Sequence, residues 1–261
     1  MVVPDALSTR RFAPLRTTSA RRDNLERELP ALVGRDSERA AIHAALAARH
    51  RLVTLVGPGG AGKTLLARHV AADHLARVGP PGGVWWVDLV HALDEIDLLQ
   101  GVCSALGLPI PVGGTLAVRS RVLAESLRGR GPLVLVLDNV EQVLGPVAEL
   151  VGGLGRHAPG VLVMATSRVQ LGLAKEQAIE VGALDDAAAV DLLVRRARSE
   201  APGFVLSPAD RPLARQLVRQ LDGWPLAIEL AAARLGTLSI AQVLARMSQR
   251  FRLLRHRGRS G

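Results

Sequence analysis

Eight consecutive residues, Gly57-Pro58-Gly59-Gly60-Ala61-Gly62-Lys63-Thr64, follow the pattern G-x-x-x-x-G-K-[ST]. The chemistry available to such a run is the cradling of a polyphosphate. Glycines let the backbone turn tightly so that successive N–H groups point inward, and a helix opening at the lysine adds its partial positive charge. Lys63 is expected to reach the β- and γ-phosphates, and the Thr64 hydroxyl to ligate the magnesium ion that bridges them. The expected binding set is therefore Gly57, Pro58, Gly59, Gly60, Ala61, Gly62, Lys63, Thr64 and Leu65, and the expected cofactors are ATP or ADP with Mg2+. Of the 33 basic side chains only Lys63 and Lys175 are lysines. A chain that uses arginine almost everywhere keeps a compact point charge on a slim stem inside this loop.

Leu133–Asp138 (LVLVLD) supplies a second half to such a site, an apolar run that ends in an acid. Asp138 is expected to hold the magnesium ion through water. The following residue is Asn139, where many P-loop ATPases of the additional-strand type carry a glutamate to polarise the attacking water. Glu141 lies nearby but offset. Without a well-placed base, hydrolysis is expected to be slow.

These residues need elements to position them, and the pattern around them provides those elements. Arg51–Val56 reads as a strand entering the loop, and Lys63–Val78 as the helix leaving it. Val84–Leu89, Leu133–Asp138 and Val161–Thr166 read as further strands, with Ala178–Val181 as an edge strand. Asp36–Ala48, Asp94–Leu106 and Thr115–Arg128 read as helices, the first with Asp36 or Ser37 available as its cap. Strands that alternate with helices and are apolar on both faces predict a mostly parallel sheet covered on each side. The fold class is thus α/β, followed after Gly182 by a small all-helical part. In that part Ser207-Pro208-x-Asp210 and Ser239-x-x-Gln242 carry helix-start patterns, and Gly223 suits a helix end. The expected divisions are a basic, poorly ordered leader over residues 1–30, a nucleotide-binding domain over 31–182, a helical domain over 183–254 and a basic tail over 255–261.

Composition narrows the classes. Hydrophobic residues make up 48% of the 261 while aromatic ones make up 2%, so the core must be built from Leu, Val and Ala. The single Cys103 forms no internal disulfide, no metal-ligand spacing of His and Cys appears, and no apolar run is long enough to span a bilayer. A cytoplasmic, non-membrane location is expected. The net charge of +9 is concentrated at the ends, with Arg10, Arg11, Arg16, Arg21 and Arg22 near one and six arginines from Arg246 to Arg259 near the other. No aromatic residues interleave with them to stack on bases. Direct DNA binding by this chain is therefore not expected.

With the motifs assembled, the sequence resembles the STAND class of signalling ATPases, specifically the NB-ARC-like nucleotide-binding module of bacterial LuxR-type and SARP-type regulators. The resemblance spans about residues 31–254 and, besides the loop and Asp138, rests on Leu32-Val33-Gly34-Arg35, Leu137-Asp138-Asn139-Val140-Glu141, Ala165-Thr166-Ser167-Arg168 and Gly223-Trp224-Pro225-Leu226-Ala227-Ile228-Glu229-Leu230-Ala231. It implies that Val33, Gly34 and Arg35 pack on the adenine, that Arg168 senses the γ-phosphate and that Pro225 closes against the nucleotide. Lys63, Asp138 and Arg168 would be the residues acting on the triphosphate. The implied mechanism is a switch, closed on ADP and opened by ATP for assembly with a protein partner or with itself. Family members continue into a winged-helix domain and helical repeats, whereas this sequence ends at Gly261, so the module is expected to be C-terminally short. Two alternatives stand beside the switch: an AAA+-type ATPase whose turnover a partner stimulates, and a basic nucleic-acid-binding module.

Overall fold

A computed structural model describes residues 22–247. Its centre is a sheet of five parallel strands: β1 (Leu52–Val56), β2 (Gly83–Asp88), β3 (Leu133–Asp138), β4 (Val161–Ser167) and β5 (Glu176–Glu180), in the order β2-β3-β4-β1-β5. β4 lies between the strand that feeds the glycine loop and the strand that ends in Asp138. That is the additional-strand arrangement. All six residues of β3 are buried, because the strand has a neighbour on each side and helices on both faces.

Pleating divides β3 between two cores. Leu133, Leu135 and Leu137 face one way, into a cluster with Leu99, Leu123 and Leu150, while Val134 and Val136 face Leu66, Val70 and Ile42. The first face is covered by α3 (Glu95–Leu106), α4 (Leu116–Arg128) and α5 (Leu144–His157), the second by α1 (Asp36–Ala47) and α2 (Lys63–Arg77). Aliphatic side chains of similar size fill both layers, as the scarcity of aromatics requires.

The expected strands and helices of the α/β part form within a few residues of their predicted limits, and α5 is an addition. Its segment carries Gly152, Gly153 and Gly155, each of which weakens a helix read from local propensity. Gly153 is there for contact: a Cβ at this position would lie 2.9 Å from the Ser120 Cβ of α4. The cap expected for α1 also differs. Arg35 occupies the N-cap with no side-chain cap bond, and Asp36 and Glu38 sit in the first turn, where their charge suits the helix dipole.

Of residues 22–30, expected within an unstructured leader, 22–24 instead run along the open edge of β2, and Glu26 and Pro30 contact Arg68 and His69 of α2. Val84 N donates to Arg22 O at 2.9 Å, and the Asn24 amide exchanges hydrogen bonds with the Trp86 backbone in both directions, at 2.7 and 2.8 Å. An otherwise bare strand edge is thereby covered. The rest of the expected leader, residues 1–21, and the expected tail over 255–261 lie outside the described residues.

The helical part holds α6 (Asp186–Glu200), α7 (Arg211–Gln220), α8 (Pro225–Ala232) and helical backbone over 240–247, around its own core of Leu193, Leu217 and Ile228. The Ser239/Gln242 pattern forms a reciprocal capping box, with Ser239 N donating to Gln242 Oε1 at 2.9 Å and Gln242 N to Ser239 Oγ at 3.2 Å. The Ser207/Asp210 pair closes a turn one step ahead of α7 rather than capping it. Gly223, at φ +67°, ends α7, and its N–H donates to Val218 O at 3.0 Å.

Candidate functional site

β1 delivers the chain to Gly57 at the carboxyl edge of the sheet, and the loop folds there as its glycines allow. Gly60 (φ +79°) and Gly62 (φ +91°) take left-handed backbone that side-chain-bearing residues rarely adopt. A Cβ at Gly57 would lie 2.3 Å from Val181 O, so this position accepts no side chain. α2 begins at Lys63 and aims its free N–H groups at the loop. The Lys63 ammonium donates to Gly57 O at 2.8 Å and Pro58 O at 3.0 Å, folded back across the loop. Burial pulls its pKa below the ordinary lysine range; Arg168 pulls the same way, while Glu141 and Asp138 oppose.

Across from the loop, β3 ends in Asp138, which is 1% exposed. Thr64 Oγ1 donates to Asp138 Oδ1 at 3.0 Å, and the Thr166 hydroxyl at the end of β4 contacts the same oxygen. Burial pushes the Asp138 carboxyl up from its ordinary value, and the two hydroxyls partly offset this. Among the described residues no three His, Cys, Asp or Glu side chains are placed to hold a metal unaided. The Thr64 and Asp138 oxygens fit a hard cation that takes its remaining ligands from phosphate and water, which is the habit of Mg2+.

Several residues that sequence reasoning passed over belong to this edge. Asp88 ends β2 in register with Asp138, and Asn139 Nδ2 reaches both, at 3.3 Å to Asp88 Oδ1 and 3.2 Å to Asp138 Oδ2. The signal was available, since VWWVD repeats the apolar-run-then-acid pattern of LVLVLD. Arg68 lines the cavity over the loop, its guanidinium 5.0 Å from the Trp86 ring centre, and it also pairs with Glu26. Arg196 of α6 donates to Glu229 Oε1 of α8 at 2.9 and 2.7 Å, and both line the same cavity. Nothing in the sequence distinguishes Arg196 from its arginine neighbours.

A cavity of about 450 Å3 opens above the loop, between the sheet edge and the helical part. Gly59 to Leu65, Val33, Arg35, Asn139, Glu141, Arg168 and Pro225 all line it. The structure thus brings together the loop, the residues following β3 and β4, and the proline that begins α8. Gly57, Pro58, Gly34 and the buried Asp138 are not on its wall, Asp138 being reached from it through Thr64. Gly34 (φ +63°) instead packs on α6, where a Cβ would fall 2.2 Å from the Ala188 Cβ. Arg35, 4% exposed, turns its guanidinium to backbone: it donates to Ala61 O at 2.9 Å and Gly182 O at 2.6 Å, and pairs with Glu38 at 2.7 Å. It ties the glycine loop to the joint between the sheet and the helical part. Leu226 N, next to Pro225, donates to Gly60 O at 3.2 Å, so α8 touches the loop directly.

With this geometry in hand, known proteins give the following likenesses. The AAA ATPase domain family matches residues 31–164. An uncharacterized protein of Mycobacterium tuberculosis is 35% identical over 229 residues, covering 87% of this chain and 56% of that protein. A protein of the same organism named as a candidate HTH-type transcriptional regulator is 36% identical over 214 residues, covering 80% of this chain and 23% of the relative. The chain thus spans about half the length of the first relative and a quarter of the second. A solved STAND (signal transduction ATPase with numerous domains) protein with a tetratricopeptide repeat sensor, from Pyrococcus horikoshii, shares the fold at a TM-score of 0.52 and 18% identity, over 77% of this chain and 30% of that one. No helix among the described residues is long and apolar enough to cross a membrane.

Proposed function

Because the chain belongs to the AAA ATPase domain family, we propose that it is an ATP- and ADP-binding switch module with slow, Mg-dependent hydrolysis, serving a signalling or transcription regulator. The observation that carries this reading is the direct contact of the helical part with the phosphate loop, Leu226 N to Gly60 O at 3.2 Å. A ligand in the cavity between them necessarily presses on both bodies, so its size and charge bias how they sit together. Lys63 and the loop N–H groups would hold the phosphates, Thr64 and Asp138 the cation, and Pro225 would close on the nucleotide. Val33 stands on the cavity wall where a base could lie. Arg35 would act on the nucleotide indirectly, by fixing the loop against the joint at Gly182. The likeness to a candidate HTH-type regulator supports a module that controls a larger protein. A protein partner or a second copy would read the ATP state.

The test begins with nucleotide released from the purified protein on denaturation, separated by ion-exchange chromatography. Retained ADP supports the closed switch. Titrations of ADP and ATP into wild type and Lys63→Ala follow, and the reading is lost if neither nucleotide binds and the substitution changes nothing. Hydrolysis that is fast at steady state, or that rises steeply with a partner, would favour a remodelling ATPase over a switch.

A further inference from the structure

Glu141 is a carboxylate that the site leaves half used. It sits in a single 3-10 turn, residues Val140–Gln142, directly after Asn139, which takes left-handed backbone at φ +62°. That turn separates the two side chains. Asn139 is directed toward Asp88 and Asp138, whereas Glu141 lies on the cavity wall with Lys63 and Arg168. Glu141 Oε1 accepts from Arg168 Nε at 3.1 Å, while Oε2 is buried and has no hydrogen-bond partner. The Arg168 side chain is 66% exposed and can swing. One of its terminal nitrogens lies 3.9 Å from where a Cβ of Gly59 would stand, over the phosphate loop.

We propose that Glu141 is the base that activates the hydrolytic water, and that Arg168 holds it idle until the γ-phosphate of ATP takes the guanidinium. This rests on the nucleotide-switch reading. A guanidinium offered three phosphate oxygens has a better partner than the single carboxylate oxygen of Glu141 that it holds. Its departure frees both Glu141 oxygens at the cavity wall. The water oxygen then bonds to the γ-phosphorus as the bond from that phosphorus to the β,γ-bridging oxygen breaks. ADP leaves with the bond's electron pair, and the water's proton passes to Glu141 and from there to solvent. Position 139 needs no acid on this account, because the left-handed turn moves the task two residues along the chain. Water activation is thereby confined to the ATP-bound state, because the base is free only while Arg168 is engaged elsewhere.

Glu141→Gln keeps size and one acceptor oxygen, so wild type and this variant are compared for thermal unfolding, for ATP and ADP affinity and for single-turnover hydrolysis of ATP with Mg2+. Hydrolysis should fall by ~100-fold or more. ATP affinity should rise ~2–5-fold, since the phosphate no longer competes with a carboxylate for Arg168 and a half-exposed pair is worth about that much. ADP affinity should stay within ~2-fold of wild type. Hydrolysis in Glu141→Gln within ~3-fold of wild type overturns the proposal, as does a wild type that binds ATP but never turns it over. Equal changes in ATP and ADP affinity overturn the latch. A wild type that binds no nucleotide instead defeats the underlying reading, and the titrations show which has happened.

Discussion

Thr64 and Asp138 meet at the carboxyl edge of the sheet, the threonine hydroxyl donating to Asp138 Oδ1 at 3.0 Å from a helix start to a strand end 74 residues away. With its hydrogen given to Asp138, the hydroxyl keeps its lone pairs available as a cation ligand requires. It also leaves a buried carboxylate with only hydroxyl donors on that oxygen. The fold therefore tolerates this charge rather than favours it.

The consequence is a stability effect with a definite sign. Burial raises the folded-state pKa of Asp138 above its unfolded value. Between those two values the folded chain binds more protons than the unfolded one, so stability is greatest below the unfolded pKa and declines as pH rises through the folded one. Asp138→Asn removes this term. The nucleotide-free variant should gain thermal stability at neutral pH and lose the gain under acid. Its Mg-dependent nucleotide affinity should fall at the same time. Calorimetric scans from acid to neutral pH check this, and a neutral-pH Tm below wild type would contradict it.

Arg35 gives the opposite result, a loss. Its guanidinium is 4% exposed and serves two carbonyls and a carboxylate. Truncation to Ala strands all three, at a cost of about 3–5 kcal/mol, or a Tm lower by roughly 10 °C. Arg35→Lys should recover only part of this, because one ammonium cannot reproduce the forked donors. Glu38 adds a pH signature. Burial alone would raise its pKa, but hydrogen bonds from Ser37, its own backbone N–H and Arg35 outweigh that and hold it below the ordinary value. That stability is present above the unfolded pKa and lost as pH falls through the folded one, so Arg35→Ala should flatten the acid limb of the unfolding profile.

What the sequence made legible follows from how locally each feature is encoded. The loop and Asp138 announce themselves because their residue types are contiguous, and β3 because LVLVLD is apolar on both faces. Arg35 was assigned to the base by resemblance, but its partners at Ala61 and Gly182 lie 26 and 147 residues away, and no local pattern reports them. Asp88 became part of the site only when pairing of β2 with β3 set it beside Asp138. α5 was obscured because the glycines that let it approach α4 are those that weaken a helix signal. The bound segment over residues 22–30 looked unstructured because its bonds run from Arg22 and Asn24 to a strand edge rather than through apolar periodicity.

Gly60 tests the contact between the two bodies. Its left-handed backbone and the 2.7 Å between a would-be Cβ and the Leu226 Cβ make Gly60→Ala strained twice over. The local backbone penalty is about 1–2 kcal/mol, and α8 must also retreat from the loop. Amide hydrogen exchange over residues 224–232 should accelerate while β1, β3 and β4 remain protected, and nucleotide affinity should drop. Unchanged exchange at Leu226 would show that α8 does not depend on the loop.

Arg196 and Glu229 separate a structural pair from a ligand-facing one. The bond joins α6 to α8, yet both side chains are about one-third exposed, so the pair should add no more than about 1 kcal/mol to stability. Arg196→Ala and Glu229→Gln should each shift the nucleotide-free Tm by only a few degrees at most. Their effects on binding should diverge if the cavity receives phosphates as proposed, because one removes a cation from its wall and the other removes an anion. Arg196→Ala should weaken ATP binding by roughly tenfold, the scale of one charge-assisted hydrogen bond, and Glu229→Gln should tighten it. Isothermal titration with ATP and ADP reads both. Equal losses from the two substitutions would mean that the pair matters only as a clamp between helices, and that the phosphates sit out of its reach.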